Sequence, residues 1–303
     1  MKLKHIQAIE NIVGQDNMIL DCPMSAHTTF RVGGPADCLV TPSTVEQISG
    51  ILDYCRSQSI PYLVIGNGSN LLVKDGGVAG VVVDLSTKFN DISVSGDVVT
   101  AQAGALLSKV ARSAYGAGLT GMEFAEGIPG TIGGAVYMNA GAYGGEMCQI
   151  VDKVTCLTQD GQIVEYVGED HGFSYRHSAY MGSGMVILEA TLTLKQGNPE
   201  EIKALMDDLR GRRRDKQPTD KPSAGSTFKR PANGYAAAMI DQCGLKGFAV
   251  GGAEVSTKHS GFVINAGGAT ATDILTLMDK VTDKVQEQCG VRLEPEVQIV
   301  GRD

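Results

Sequence analysis

The sequence predicts an α+β protein, and three observations along its 303 residues favour this class. The first third alternates short apolar strands with a helical segment, as α/β regions do. The middle third changes to the period-two alternation of antiparallel strands. The last third, after the polar stretch 215–225, returns to alternating helix and strand. We therefore predict two α/β subdomains at 1–86 and 87–215 and a C-terminal α/β domain at 216–290, with the strand 291–303 as a candidate to return to the first subdomain.

The first third contains one helical pattern between apolar strands. Residues 38–41 predict a strand, and residues 44–57 predict a helix that Ser43 or Thr44 can cap. The run PYLVIG (61–66) predicts a buried strand that ends in GNGSN, and VVVDL (81–85) predicts a second strand.

The rest of the chain is divided by turn and cap signals. ISVSGDVVTAQAG (92–104) alternates as strands do, a helix is predicted at 106–117, and VTCLTQDGQIVEY (154–166) predicts a hairpin that turns at Asp160 and Gly161. Asn198 and Pro199 start a helix through EEIKALMDDLRGRRR. Helices at 235–243 and 273–289 are followed by glycine, and FAVGGAEV, SGFVIN and LEPEVQIVG predict strands.

Composition excludes several classes of function. The chain is 43% hydrophobic with a net charge of -8, so it lacks the basic surface that nucleic acid requires. No apolar run reaches the roughly 20 residues that span a bilayer, and MKLKHIQAIENIVG lacks the apolar core of a signal peptide, so we predict a cytoplasmic protein without a membrane partner. The seven cysteines include no C-x-x-C pair and the five histidines no H-E-x-x-H pattern, so we predict reduced thiols and no metal.

Two glycine-rich stretches are candidates for ligand binding. GNGSN (66–70) follows an apolar strand, where N–H groups freed by small residues can wrap a pyrophosphate. It lacks the G-x-G-x-x-G fingerprint and no helical pattern follows it, so loop amides would hold the phosphate. GIPGTIGGAVYMNAGAYGGE (127–146) threads seven glycines with apolar residues, which indicates unusual backbone angles or close approach of a flat or anionic group. Turns are the alternative for both stretches.

Together the two stretches suggest one elongated ligand, with a pyrophosphate at 66–70 and a flat ring against 127–146, and a dinucleotide fits both. HTTFRVGGPAD (27–37), VIGNGSNLLV (64–73) and GIPGTIGGAVYMNAGAYGGE resemble the FAD-binding region of the UDP-N-acetylenolpyruvoylglucosamine reductase family. The resemblance continues through YRHS (175–178), GSTFKRP (225–231) and LEPEV (293–297), in the family's order and over nearly the whole chain.

The resemblance implies a PCMH-type flavin fold in the two subdomains, followed by a substrate-binding domain. It implies noncovalent FAD, NADPH as reductant and UDP-N-acetylglucosamine enolpyruvate as the substrate, which is reduced to UDP-N-acetylmuramate for peptidoglycan precursors. A branched side chain at position 130 or 133 would then lie in the path of the flavin ring. The residues implied to bind the cofactor are Arg31, Gly66, Asn67, Gly68, Ser69, Asn70, Gly127, Ile128, Pro129, Gly130, Thr131, Gly133, Gly134, Asn139 and Gly141.

Three polar residues are implied to carry the chemistry. On sequence alone, Arg176 could be a surface guanidinium and Ser226 a turn or cap serine. The family implies that Arg176 faces the substrate carboxylate and that Ser226 donates a proton to the carbon beside it. Glu296 lies among apolar residues of a predicted strand, and the family implies that it acts with Arg176 on that carboxylate. A carboxyl there is expected to stay protonated, because two like charges within hydrogen-bond reach cannot cheaply coexist.

A basic cluster is a candidate for substrate binding. Two interpretations of the cluster are open. It can be a solvated helix face, or it can form a positively charged entrance that binds a diphosphate sugar and the phosphates of NADPH. The resemblance implies substrate contacts for Tyr175, Arg214 and Lys229. The family commonly carries Asn where Arg230 stands, and the segment between YRHS and GSTF is too short for the extra substrate loop of one branch, so the chain resembles the shorter branch. The cluster consists of Arg210, Arg212, Arg213, Arg214, Lys216 and Lys221, followed by Lys229 and Arg230.

Two other functions are open from the residues. An FAD-dependent oxidase of the same flavin-binding fold would share the glycine-rich stretches, but GSTFKRP and LEPEV count against it. A noncatalytic nucleotide-binding module would need only the glycine-rich loops. Flavin absorbance separates the flavoproteins from the module, and substrate-dependent NADPH consumption separates the reductase from the oxidase.

Overall fold

The computed structural model describes residues 1–303 and divides the chain into two compact units. The first unit contains residues 1–19, 38–67 and 80–212, and the second contains residues 20–37, 68–79 and 213–303. Each unit therefore collects segments that are far apart along the chain.

Seven helices and eighteen short strands make up the two units. The helices are α1 (Leu3–Val13), α2 (Val45–Ser57), α3 (Leu107–Gly116), α4 (Ile132–Tyr137), α5 (Pro199–Lys216), α6 (Ala236–Gln242) and α7 (Ala271–Cys289). The strands are β1 (Met18–Pro23), β2 (Pro35–Val40), β3 (Tyr62–Ile65), β4 (Leu71–Val73), β5 (Val78–Asp84), β6 (Ile92–Ser95), β7 (Val98–Gln102), β8 (Leu119–Thr120), β9 (Gly141–Ala142), β10 (Gly145–Glu146), β11 (Val151–Leu157), β12 (Ile163–Val167), β13 (Val186–Thr193), β14 (Lys195–Gln196), β15 (Ala249–Val250), β16 (Ala253–Val255), β17 (Val263–Asn265) and β18 (Gln298–Val300).

The first unit contains an antiparallel sheet in the order β12-β11-β13-β7-β6. The hairpin β11–β12 pairs Leu157 with Ile163, so the predicted turn at Asp160 and Gly161 is confirmed. Its central strand β13 is mostly buried, and α3 buries Leu107 and Val110 in the same core. The parallel pair β3–β5 belongs to a sheet in the order β1-β2-β5-β3, and the run of valines in β5 is buried, as in strands covered on both faces.

The second unit contains the sheet β15-β16-β17 and the long helix α7. The buried face of α7 includes Ile274, Leu277, Val281 and Val285, at the spacing of one helical face. Thr270 caps the helix by accepting a hydrogen bond from the backbone N–H of residue 273, at 3.0 Å. Strand β18 pairs in parallel with β4, so residues 298–300 lie beside residues 71–73.

Most predicted elements are present with shifted ends, and a few differ. Thr44, not Ser43, is the N-cap of α2. The predicted strand 248–255 is interrupted at residues 251–252 and becomes β15 and β16. The predicted strand 293–301 is shortened to β18 after an isolated bridge at Pro295, because proline cannot donate to a ladder. Helices α1 and α4 have no counterpart in the sequence-based predictions.

Candidate active site

The two glycine-rich stretches meet within the first unit. Asn67 donates a side-chain hydrogen bond to the carbonyl oxygen of Pro129. A Cβ added to Gly66 would lie 2.2 Å from Thr131 Oγ1, which is closer than real Cβ contacts allow. Gly66 is therefore bare because a side chain of the second stretch occupies that space. We call Gly66, Asn67 and residues 129–134 the candidate cradle.

The helix α4 begins inside the second glycine-rich stretch. Thr131 caps it, accepting a hydrogen bond from the N–H of Gly134 at 3.4 Å. A Cβ on Gly133 would lie 2.7 Å from Ala103 Cβ, so this glycine is required by packing against the protein itself. A Cβ on Gly134 would meet only Thr131 Oγ1, at 3.6 Å, and Gly134 is exposed. Of these two glycines, only Gly134 leaves open space for a ligand.

Asn139 is buried at 1% exposure, just after α4. Its side-chain amide donates to the carbonyl of Ser174 at 3.0 Å and lies 3.2 Å from Glu146 Oε2. Its side-chain oxygen accepts from the N–H of Cys148 at 2.9 Å. These contacts join α4 to the loop that carries Arg176, whereas a contact of Asn139 with the cofactor stays a prediction.

Arg176 lies on a tight loop between Ser174 and His177, which form an isolated bridge. In the fold this loop lies beside the C-terminal end of α4. Its φ of 54° is in the left-handed region, which is uncommon for residues other than glycine. The guanidinium Nη2 donates to the carbonyl of Gly141 at 3.2 Å, and its carbon lies 5.1 Å from the ring centre of Tyr175. Ser178 anchors the loop by donating to the carbonyl of Tyr137 at 2.7 Å. The guanidinium is thus held beside the glycine-rich stretch.

The buried side chains of His171 and Tyr180 flank the loop that carries Arg176. His171 Nδ1 lies 2.7 Å from the hydroxyl of Tyr180, and its carbonyl accepts from the N–H of Ala179 at 2.8 Å. Burial lowers the pKa of His171 below its usual range and raises the pKa of Tyr180. Both side chains therefore stay neutral near pH 7, which is consistent with a structural role.

In the second unit, a short antiparallel bridge brings the segments of Ser226 and Glu296 together. The N–H of Glu296 donates to the carbonyl of Thr227 at 2.8 Å, and Phe228 forms an isolated bridge with Pro295. Ser226 is exposed and Glu296 is half-buried. The segments that carry the two predicted catalytic residues of this unit therefore lie side by side, although 70 positions separate Ser226 and Glu296 in the sequence.

The second half of GNGSN contacts the Glu296 segment within the second unit. Asn70 donates its side-chain amide to the carbonyl of Glu296 at 3.1 Å. Gly68 has a φ of 57° and its added Cβ would lie 2.1 Å from the carbonyl oxygen of His27, so only glycine fits there. The carbonyl of Gly68 accepts from the N–H of Thr29 at 3.3 Å.

Three further residues predicted to bind the cofactor are Arg31 and Ser69 in the second unit and Gly127 in the first. Arg31 is exposed, has a φ of 56° and donates its N–H to the carbonyl of Thr28 at 3.2 Å. Ser69 is half-buried between Gly68 and Asn70. Gly127 is exposed with a φ of 81°. Their contacts with a cofactor stay predictions.

Of the predicted substrate residues, Arg214 lines a cleft of about 540 Å³ within the second unit. Lys221 and Lys258 also line it, and Lys258 Nζ donates to the carbonyl of Arg214 at 2.5 Å. Lys229 lies 3.6 Å from a carboxylate oxygen of Glu294. No periodicity or motif in the sequence indicates that Lys258 belongs to this cleft, because only the fold brings it to Arg214.

The basic cluster is partly neutralised by acidic partners. Arg210 Nε lies 3.2 Å from the buried Glu126 carboxylate, and Arg212 Nη2 lies 2.8 Å from Asp208. Arg213 is 8% exposed. Neither alternative from the sequence therefore describes the whole cluster, because its members have different surroundings.

No group of three or more His, Cys, Asp or Glu side chains is placed to hold a metal ion. No helix combines the length and apolarity needed to cross a membrane.

Comparisons with known proteins agree over both units. Residues 36–166 match the FAD binding domain family, and residues 217–300 match the C-terminal domain of UDP-N-acetylenolpyruvoylglucosamine reductase. The reductase of Clostridium botulinum is 50% identical over 98% of this chain and 97% of its own length, and that of Clostridium perfringens is 50% identical over 95% of each. The crystal structure of the reductase from Thermus caldophilus aligns with a TM-score of 0.80 at 38% identity, covering 93% of this chain and 97% of that one.

The matched FAD-binding domain and the relatives define the class of this protein as an FAD-dependent oxidoreductase. Its α+β fold, with an FAD-binding region and a separate C-terminal domain, is confirmed. Within that class, the chain belongs to the UDP-N-acetylenolpyruvoylglucosamine reductase family.

Proposed function

We propose that this chain reduces UDP-N-acetylglucosamine enolpyruvate to UDP-N-acetylmuramate with NADPH, and that Arg176, Ser226 and Glu296 act on the substrate. The relatives at 50% identity over nearly the whole chain bear that reductase name and support the reaction. The structural observation that supports the proposal is the bridge between Phe228 and Pro295, which brings the segment of Ser226 beside the segment of Glu296 in the second unit. A proton donor and a carboxyl on adjacent segments are what reduction of an enolpyruvyl group requires.

The residues of the first unit fit FAD. Gly66 and Asn67 lie against 129–131, so small residues are concentrated there, which lets a dinucleotide approach the backbone closely. The exposed, open face of Gly134 allows a flat ring to approach the backbone. When bound, FAD supplies the hydride transfer between NADPH and the enolpyruvyl double bond.

Arg176 is suited to binding the substrate carboxylate. Its planar guanidinium can form two parallel hydrogen bonds with a carboxylate, which fixes the orientation of the enolpyruvyl group. The hydrogen bond to the carbonyl of Gly141 and the anchor of Ser178 restrict the loop. The positive charge then stabilises the negative charge that develops on the carboxylate during hydride addition.

Ser226 and Glu296 supply the proton and the second carboxylate contact. The exposed hydroxyl of Ser226 donates its proton to the carbon beside the carboxylate. Glu296, in its protonated form, donates a hydrogen bond to the same carboxylate. The backbone hydrogen bond between Glu296 and Thr227 joins the segments that carry Ser226 and Glu296, which limits the movement of one segment relative to the other.

The substrate's diphosphate is assigned to the cleft of Arg214, Lys221 and Lys258. Besides these three cationic side chains, Asp220 and Glu254 line the cleft, so it keeps a net positive charge that attracts phosphate although the whole chain is acidic. NADPH and a nucleotide sugar are cytoplasmic metabolites, so we place the reaction in the cytoplasm.

Ser226→Ala tests the assignment by half-reactions. NADPH should bleach the flavin band at an unchanged rate, while recovery of the band on adding the enolpyruvyl substrate should slow by about 10²–10⁴-fold. Ser223→Ala, in the same segment, is the matched control and should leave both rates unchanged. Equal slowing of both halves by Ser226→Ala would remove the proton-donor role.

The alternatives predict different spectra. A flavin oxidase would use dioxygen and recover its flavin band without the enolpyruvyl substrate. A noncatalytic module would show no flavin band that NADPH can bleach. Substrate-dependent consumption of NADPH under anaerobic conditions is the result that both alternatives fail to give.

A further inference from the structure

Two cysteine side chains touch each other in the second unit. Cys243 Sγ lies 3.7 Å from Cys289 Sγ, at the contact distance of two thiols. Both side chains are half-exposed, whereas Cys22, Cys38, Cys55 and Cys156 are buried. The contact is made by residues 46 positions apart, so the fold and not the local sequence brings them together.

The pair lies at the ends of two helices. Cys243 is the C-cap of α6, and Cys289 is the last residue of α7. Cys243 Sγ also lies 3.9 Å from the carbonyl oxygen of Lys284, one turn before the end of α7. The sulfurs are therefore held close together on helix ends that solvent reaches.

We propose that Cys243 and Cys289 are a modification site that forms a reversible disulfide when the protein meets hydrogen peroxide or a small-molecule disulfide. This reaction is separate from the reductase activity and uses none of its residues. A dithiol in contact and open to solvent is the arrangement that oxidants convert to a disulfide in an otherwise reduced protein.

The oxidation by peroxide balances in two steps. The sulfur of one cysteine attacks the O–O bond, which gives a sulfenic acid and one water. The second thiol then displaces the sulfenic hydroxyl, which forms the S–S bond and releases a second water. Two thiol hydrogens and two electrons leave the protein, and one peroxide is reduced. The sulfurs need to close from 3.7 Å to the S–S bond length of about 2.0 Å.

The remaining cysteines lack this combination of access and partner. Burial raises the pKa of Cys55 to about 11 and that of Cys156 to about 12, so neither forms much thiolate near neutral pH. Cys148 is exposed, but its sulfur lies 3.6 Å from the Glu146 carboxylate and contacts no second sulfur. Burial and the contact with Cys289 raise the pKa of Cys243, so Cys243 is a thiol near neutral pH.

The cross-link would restrain the part of the second unit that supports Ser226. The loop closed by residues 243 and 289 contains β15, β16, β17 and most of α7. Within it, the carbonyl of Gly261 accepts a hydrogen bond from Thr227, the residue after Ser226. A covalent bond between the two helix ends reduces the freedom of this region in the unfolded chain.

The test is peptide mapping of the FAD-loaded, full-length protein. It is treated with a small excess of hydrogen peroxide, blocked with N-ethylmaleimide and digested with trypsin without reductant. Cleavage isolates the two cysteines on the peptides 230–246 and 285–292, each with no other cysteine. We expect these two peptides joined, with the loss of two of the seven titratable thiols, and full recovery of both thiols with dithiothreitol.

Matched variants make the result decisive. Cys148→Ser should still form the cross-link, whereas Cys243→Ser and Cys289→Ser should each abolish it. The urea midpoint of the oxidised protein should rise and return on reduction, with no rise in Cys243→Ser. The proposal is overturned if peroxide oxidises Cys148 while residues 243 and 289 remain fully labelled. It is also overturned if the pair goes to separate sulfinic acids, or if dithiothreitol does not restore the two thiols.

Discussion

The contact between Gly66 and Thr131 offers a direct test of the candidate cradle. A Cβ on Gly66 would lie 2.2 Å from Thr131 Oγ1, 3.0 Å from its Cγ2 and 3.1 Å from its Cβ. Gly66 does not have a positive φ, so Gly66→Ala changes packing without adding backbone strain. Thr131 is 2% exposed, so it lies in the packed interior.

The expected magnitudes follow from these distances. Gly66→Ala should lower the free energy of unfolding by about 1–3 kcal/mol, as overpacking does. Thr131→Ala removes a long cap bond of 3.4 Å and should lower it by about 0.5–1 kcal/mol. In the double variant the two nearest clashing atoms are gone, and only the contact with Cβ at 3.1 Å remains. The combined loss should therefore fall short of the summed losses by about 1 kcal/mol or more.

The assay is urea unfolding of the four apo-proteins, followed by circular dichroism, with FAD content measured separately on the purified holo-proteins. Gly134→Ala is the control, because its Cβ would make only an ordinary contact at 3.6 Å. The apo-protein of this control should be as stable as the parent while its FAD content falls, since the added methyl covers the open face. Additivity of Gly66→Ala and Thr131→Ala within about 0.5 kcal/mol would refute the contact.

Three further predictions address the loop of Arg176 and the pH dependence. Asn139→Asp replaces an amide donor with a carboxylate that repels Glu146. The rate of flavin recovery with substrate should therefore fall, while the rate of flavin bleaching by NADPH stays unchanged. A slower bleaching rate with unchanged recovery would contradict this. Arg176→Ala and Glu296→Gln should be non-additive in the rate of flavin recovery if both act on one carboxylate, and strict additivity would show that they act independently. Burial lowers the pKa of His171 in the folded chain, so the unfolded chain binds more protons as the pH falls below 6.5. The free energy of unfolding should therefore decrease between about pH 7 and about pH 5, and His171→Gln should flatten that decrease in a urea series; an unchanged slope would exclude His171 as the cause.

The strongly patterned elements were predictable because local residues decide them. The helix at 44–57, the hairpin around Asp160 and Gly161 and the long helix before Gly290 each combine a clear period with a turn or cap signal. The six-residue helix α4 was not predictable, since its glycines disfavour a helix, and the Thr131 cap and the burial of Ile132, Ala135 and Val136 stabilise it there.

For the site, the motifs of the sequence were enough to determine the family, and with it FAD and the reductase chemistry. The motifs could not distinguish a glycine that packing requires, such as Gly133, from a glycine that is open to a ligand, such as Gly134. The difference depends on the side chain of Ala103, which lies about 30 residues away in another segment. The approach of the Ser226 segment to the Glu296 segment, and the contact between the sulfurs of Cys243 and Cys289, were likewise decided by the tertiary structure alone. Such contacts join segments whose separation along the chain leaves no periodic signal, so only the folded packing of the chain determines which residues meet.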